Sequence, residues 1–337
     1  MVFHKSILAA ATMVSMLVSC QGNQSSTTKD ETTAKEVNVQ APQINADSAY
    51  AFVQKQVDFG PRVPNTPEHV ACGDYLISTL ERFGTTVHVQ EFEAEGYDGT
   101  IYKGRNIMGQ INPSASKRIL LAAHWDTRFV ADQDEESKHY EFIDGANDGG
   151  SGVAVLLEIA RTLQQSSLKP NVGIDLLLFD VEDQGKPSFV EQDYTQPYKS
   201  YYCLGSTHWS KNKYPNGYHA YYGILLDMVG AKGATFPKEA YSMNYGRKIV
   251  RKLWKTAESL GYGHHFIHQE GDPITDDHVP VNEIAKIPMI DVIHQDLTGQ
   301  GTFFEHWHTT DDTMENIDKD VLKAVGQSVL QLIYNEK

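Results

Sequence analysis

The apolar run Ile174 to Phe179 is interrupted only by Asp175. Such a run fits a strand covered on both faces, the pattern of a parallel sheet. It ends abruptly in acid, with Asp180, Glu182 and Asp183 following directly. Carboxylates at the carboxyl end of a buried strand lie where open α/β sheets place their ligands. A strand that simply ends in a solvated acidic turn would give the same string. The pattern recurs, however: Arg118-Ile-Leu-Leu-Ala-Ala ends in His124-Trp125-Asp126, and Tyr221 to Leu226 ends in Asp227.

Between these runs the periodicity becomes helical. Residues 47–59 read as a helix with Asp47 as N-cap. Thr66-Pro67 opens a second helix, a cap followed by Pro at the first position, with Val70, Leu76, Leu80 and Phe83 on its apolar face and Gly84 at its end. Residues 85–92 and 106–111 alternate like strands. Val153, Leu156, Leu157 and Ala160 mark a helix after a glycine-rich stretch, and residues 241–260 read as one long helix. Residues 288–293 read as a strand. The last helix, over 318–334, turns Val321, Val325 and Leu332 inward. The alternation predicts an α/β protein, a single-domain α/β/α sandwich on a mixed, mostly parallel central sheet. The polar segment 184–200 is too long for an ordinary connection and reads as a flap or rim of the site.

Composition adds compartment and partners. The 337 residues carry a formal net charge of −15, which argues against nucleic acid as a partner. Lys5 precedes a short apolar stretch, Ile7 to Val18, and Leu17-Val18-Ser19-Cys20 resembles a bacterial lipobox. Residues 1–20 are therefore expected to be a lipoprotein signal peptide, and the polar residues 21–46 a disordered tether. Residues 47–337 are expected to form a single folded domain that carries whatever activity the chain has. It is expected to be exported and held at a bacterial membrane by lipidated Cys20, facing the periplasm. The compartment permits a disulfide between Cys72 and Cys203, and two buried free thiols fit equally. With no CxxC pair, any metal falls to His and carboxylates.

Those residues are spread along the chain. His124 and Asp126 point to one side of an extended backbone, so the acid can fix the tautomer of a metal-facing imidazole or merely close the strand as its hydrogen-bonded partner. Glycines around Asn147-Asp148 allow a tight path that aims Asp148 at a shared point; either residue could also cap the helix that follows. Within Glu182-Asp183, one acid can bind metal while its neighbour carries protons. Glu305-His306-Trp307-His308-Thr309-Thr310-Asp311-Asp312 supplies a further imidazole. This donor set suits Zn²⁺. His264, His265 and His268 lack a carboxylate pattern and read as surface or groove residues.

Together, His124-x-Asp126, Asn147-Asp148, Glu182-Asp183, Asp227 and His308-Thr309 resemble the zinc aminopeptidases with a phosphorylase/hydrolase-like fold. Trp307 before His308, the Asp276-Asp277-His278-Val279-Pro280 block and Leu226-Asp227-Met228-Val229-Gly230 are similar to the animal-type glutaminyl cyclases and their bacterial relatives. The resemblance implies one Zn²⁺ per chain on Asp148, Asp183 and His308. It implies Glu182 as general acid/base, Asp227 and Asp276 as hydrogen-bonding acids beside it, and Trp307 as a wall of the glutamine pocket. His124 and Asp126 stand behind them. The family usually has Glu where this chain has Asp183, so here the backbone must approach or the metal must shift. The implied activity is glutaminyl-peptide cyclotransferase, closing the N-terminal glutamine of peptides and proteins to pyroglutamate with loss of ammonia. The alternative is a zinc aminopeptidase, for which His124, Asp148, Asp183, Asp227 and His308 fill every position of a two-zinc site. A binding module that had lost the reaction would lack ligands, and none is missing.

Overall fold

The three apolar runs become neighbouring strands. The computed structural model describes residues 39–191, 195, 199–298 and 303–337. In it α1 (Ala46–Val57) and α2 (Pro67–Arg82) precede a pair of strands, β1 (Thr86–Glu95) and β2 (Ile101–Ile111). Then β3 (Arg118–His124), α3 (Gly150–Gln165), β4 (Gly173–Phe179), α4 (Leu204–Lys211) and β5 (Tyr222–Asp227) alternate. The short strands β6 (Phe236–Lys238) and β7 (Phe266–Glu270) bracket α5 (Ala240–Tyr245) and α6 (Arg247–Ser259). The single turn α7 (His278–Pro280), β8 (Met289–Ile293) and α8 (Lys319–Tyr334) close the chain.

The main sheet runs β1-β2-β4-β3-β5-β8. The β1/β2 and β2/β4 pairs are antiparallel, and β4, β3, β5 and β8 run parallel. The sheet is thus mixed and mostly parallel, as expected. Alternate residues of the inner strands feed two cores, one on each face: Leu121, Leu176 and Ile224 face one, and Leu120, Leu177 and Leu225 the other. Both faces being covered explains why these strands are apolar throughout. The exception, Asp175, is buried but paired with Arg118 at 2.5 Å and bonded by Tyr218 at 2.9 Å. Because β3 lies between β4 and β5, the chain leaves it on one side and returns on the other. The ends of β3, β4 and β5 therefore form the switch point at which such sheets bind ligands.

Several local expectations change. The cap of α1 is Asn45, whose side chain accepts from Ser48 N–H at 3.0 Å; Asp47 instead pairs with Lys319 at the surface. On α2, Val70 is half exposed, and Cys72 takes the inward position beside Leu76 and Leu80. The long helix expected over 241–260 breaks at Gly246, where a Cβ would come within 2.5 Å of Ile290 Cγ2. The β6/β7 pair was not foreseen, since three to five residues carry too little periodicity. The tether expected over residues 21–46 does not extend over residues 41–46. Ala41 and Ile44 are buried, and their N–H groups donate to Gln331 and Gln327 of α8 at 3.0 Å each. The lipobox-like Leu17–Cys20 and residues 21–38 lie outside the described residues. Cys72 and Cys203 are both free and buried.

Candidate metal and proton-transfer site

Every candidate from the sequence except Asp126 opens onto, or directly adjoins, one cleft of about 290 Å³, lined among others by Asp148, Glu182, Asp183, Asp227, Asp276, Trp307 and His308. Asp148 arrives on the loop before α3. Gly149, with φ +79°, makes the turn there, and no side chain caps the helix, so neither Asn147 nor Asp148 serves as its N-cap. The turn is fixed from afar: Asp312 accepts the N–H groups of Asn147 and Asp148 at 2.8 and 3.0 Å. Asp183 follows β4, with its backbone gripped on both sides. Its N–H donates to Asp126 at 3.1 Å, and its carbonyl accepts from Arg128 at 3.0 Å. His308, at φ +55°, is stacked under Trp307 with ring centres 3.8 Å apart.

These side chains form two triads sharing Asp148. His308 Nε2 lies 3.0 Å from Asp183 and 3.6 Å from Asp148. His124 Nε2 lies 3.0 Å from Asp148 and 3.1 Å from Asp227. Zinc bonds of about 2.0–2.2 Å in a tetrahedron separate ligand atoms by about 3.3–3.6 Å, close to these distances. Asp183 Oδ2 is buried without a hydrogen-bond partner among the described residues. Burial, opposed by His308 and reinforced by Asp148, holds the Asp183 carboxyl above its usual range. Two buried carboxylates so close call for a cation, and the donor set fits zinc.

Asp126 does not do what its spacing suggested. It stands 3.6 Å from His124 Nδ1, beyond a hydrogen bond. Its oxygens instead accept the N–H groups of Glu182 and Asp183 and the Gln184 side chain at 2.9 to 3.1 Å. The acid that sets a tautomer is Asp132, 3.1 Å from His308 Nδ1 and clamped by Arg128 at 2.8 and 2.9 Å. Sequence reasoning missed both. The expected flap contributes from its ends: Ser188 N–H donates to Asp132 at 2.8 Å, and Ser200 lines the cleft. Residues 192–194 and 196–198 of that segment lie outside the described residues. His265 bonds the Ala234 carbonyl and His268 is exposed beside Lys238, both away from the cleft.

Glu182, next to Asp183 in the chain, sits among further acids that line the cleft. Burial raises its carboxyl well above the ordinary range, with His124 opposing and Asp183 and Asp276 adding to the rise. Burial and Asp227 lift Asp276 to about 7. Asp291, also missed, is fully buried behind Asp276 and shifted the same way. Four non-glycine residues with positive φ gather here, Val181, Cys203, Met228 and His308, as strained backbone does at functional sites.

The sequence profile of peptidase family M28 matches residues 106–333, more than half of the chain. A solved glutaminyl cyclase from Bacteroides thetaiotaomicron, bound to N-acetylhistamine, is 52% identical; the match covers 88% of this chain and 100% of that one, with a TM-score of 0.85. A solved Zn-dependent exopeptidase from Parabacteroides distasonis is also 52% identical, with 88% and 100% coverage and a TM-score of 0.84. The glutaminyl-peptide cyclotransferase of Bos taurus is 25% identical over 307 residues, 82% of this chain and 78% of that protein. The chain belongs to peptidase family M28.

Proposed function

We propose that this M28 protein is a glutaminyl-peptide cyclotransferase, converting N-terminal glutamine to pyroglutamate with release of ammonia. The observation that carries the reading is one cleft that brings a buried Glu182 of raised proton affinity together with Asp276, a zinc-fitting triad and Trp307. Asp148, Asp183 and His308 would hold zinc, which when bound would supply Lewis-acid polarisation of the side-chain amide. The substrate's α-amine, with an ordinary pKa of about 7.7–8.0, attacks the amide carbon. Glu182 takes the proton the amine sheds and delivers it to the departing nitrogen, which leaves as ammonia. Its raised proton affinity suits that exchange. Asp227 and Asp276 hold hydrogen bonds beside it. Trp307 and Phe303, packed 4.6 Å apart, with Ile293 and Met228, give the cleft apolar walls, which exclude the water that would hydrolyse instead.

One ion per chain is supported by the surroundings of the two imidazoles. Asp132 fixes His308 with its proton on Nδ1 and its Nε2 lone pair facing the triad, the usual support of a ligand histidine. His124 Nδ1 is buried without a hydrogen-bond partner among the described residues, so a proton on Nε2, shared by Asp148 and Asp227, suits it better than a second ion. The complete second triad is what favours the other reading, a two-zinc aminopeptidase.

A peptide beginning with Gln and one beginning with Leu separate the two. The cyclase yields a pyroglutamyl peptide of unchanged length plus ammonia and leaves the Leu peptide intact. Free leucine at a rate comparable to ammonia release would promote the aminopeptidase. Lipid anchoring through Cys20 at the periplasmic face is also part of the proposal, supported by Leu17-Val18-Ser19-Cys20 and the polar stretch after it. Cys20→Ala should leave activity intact and release the enzyme from membranes; unchanged partitioning would remove the anchor.

A further inference from the structure

We infer that Cys203 is a positioning residue for Glu182, its thiol donating a hydrogen bond that fixes one carboxylate oxygen and leaves the other to the substrate. This rests on Glu182 being the proton carrier. Cys203 Sγ lies 3.2 Å from Glu182 Oε1, and among the described residues it is the one donor to that carboxylate. The same two residues are joined through the backbone, where Cys203 N–H donates to the Glu182 carbonyl at 2.8 Å and Leu204 N–H to that of Val181 at 3.1 Å. The acid is thus gripped at main chain and side chain by a single residue.

The local backbone shows what this arrangement costs. Cys203 has φ +57° and Val181 φ +56°. Left-handed backbone is uncommon for a residue with a Cβ and an outlier for a β-branched one. Glycine would relieve Cys203 but would carry no donor. Cys203 also stands at the N-cap of α4, where Ser, Thr or Asp would bond the first turn, yet its side chain makes no cap bond. It turns to Glu182 instead. Burial, and then Glu182 beside it, push the thiol well above its ordinary pKa, so it remains S–H, a donor, rather than a thiolate that would repel the carboxylate.

The test compares zinc-loaded wild type with Cys203→Ala and Cys203→Ser on both the Gln and the Leu peptide, recording kcat, KM, zinc content and Tm. In Cys203→Ala, kcat should fall about fivefold to tenfold, the worth of one hydrogen bond, with KM and zinc content unchanged. Cys203→Ser, which restores a donor, should recover at least half of wild-type kcat even if its Tm is no higher than that of the Ala variant. Wild-type kcat in the Ala variant, or a Ser variant no faster than Ala, would overturn the inference and leave Cys203 a packing residue. Should Cys203→Ala fail to fold, a folded Ser variant slowed fivefold or more decides against it, and one that keeps half the rate decides for it. Should wild type release leucine and no ammonia, the cyclase reading falls. The same comparison on the Leu peptide then judges Cys203, since Glu182 carries the proton there as well.

Discussion

Removing the carboxylate of Asp132 should damage zinc binding although Asp132 touches no substrate. The acid is 4% exposed and makes a bond of 3.1 Å to His308 Nδ1, two to Arg128 at 2.8 and 2.9 Å, and one to Ser188 N–H at 2.8 Å. Those bonds hold the acid well below the usual carboxylate range against the penalty of burial. Asp132→Ala frees the ring of His308 and strands the fully buried Arg128 beside Asp183, whose Oδ1 is 3.6 Å from its guanidinium. A partner lost from a buried pair costs about 3–5 kcal/mol, and loss of the acid behind a ligand histidine weakens metal about 10- to 100-fold. Asp132→Asn keeps an acceptor for Nδ1–H and should fall at the mild end. Competition against a chromophoric chelator measures the affinity, and denaturant unfolding of chelated protein measures stability. In the double variant Asp132→Ala/Arg128→Met the stability loss should be smaller than the sum of the two single losses, because the stranded cation is gone. Zinc affinity within threefold of wild type, with stability within about 1 kcal/mol, would refute the assignment.

Trp307→Ala should lower kcat/KM on N-terminal glutamine at least tenfold with zinc retained; metal loss equal to that of His308→Ala would mean their roles were wrongly separated. Glu182→Gln should keep fold and zinc and abolish turnover, whereas Asp183→Ala should lose zinc; the opposite outcome in metal analysis reverses the two. Chelated protein should become less stable from pH 5 to 8. Asp276, raised to about 7 from 3.8 by burial and Asp227, holds a proton in the folded state that the unfolded chain gives up, so its contribution is present at low pH and lost as pH rises through 7. Buried His124 and His308 also bind protons more tightly when folded and act with the same sign, while Asp132 is ionised throughout this window. The gain in Tm on adding zinc should therefore grow with pH, and a flat gain would contradict it.

The parts of this architecture visible in sequence are those whose cause is local. A strand buried on both faces must be apolar along its length, so β3, β4 and β5 announced themselves, and with them the switch point. The gathering of acids and imidazole at their ends was legible because Glu182, Asp227 and His124 stand at the ends of those runs. Gly246 was not read as a break because the need for it lies in Ile290, 44 positions away. Asn45, two residues earlier, displaced Asp47 as cap. Asp132 sits in a loop with no periodicity; Arg128 is four positions before it, but the partners that give it a role, His308 and Ser188, are distant in the chain. Nothing around it distinguishes it from any solvated acid.

The supporting acids, of which the sequence singled out Asp126 alone, share a function. Each proposed ligand has its own buried supporting carboxylate. Asp312 pins the two N–H groups leading into Asp148, Asp126 pins the N–H groups of Glu182 and Asp183, and Asp132 pins the ring of His308. A ligand carboxylate on an unsupported loop would be pushed away by its neighbours before metal arrived, since the site gathers acids faster than cations. A carboxylate that accepts two backbone N–H groups resists that repulsion by holding the main chain rather than the side chain. This also accounts for the short Asp183. With its N–H held by Asp126 and its carbonyl by Arg128, its backbone cannot drift, and its side chain reaches within 3.0 Å of His308 Nε2. The shorter ligand therefore works through a backbone brought in and fixed, and acids too far apart in sequence to signal one another do the fixing.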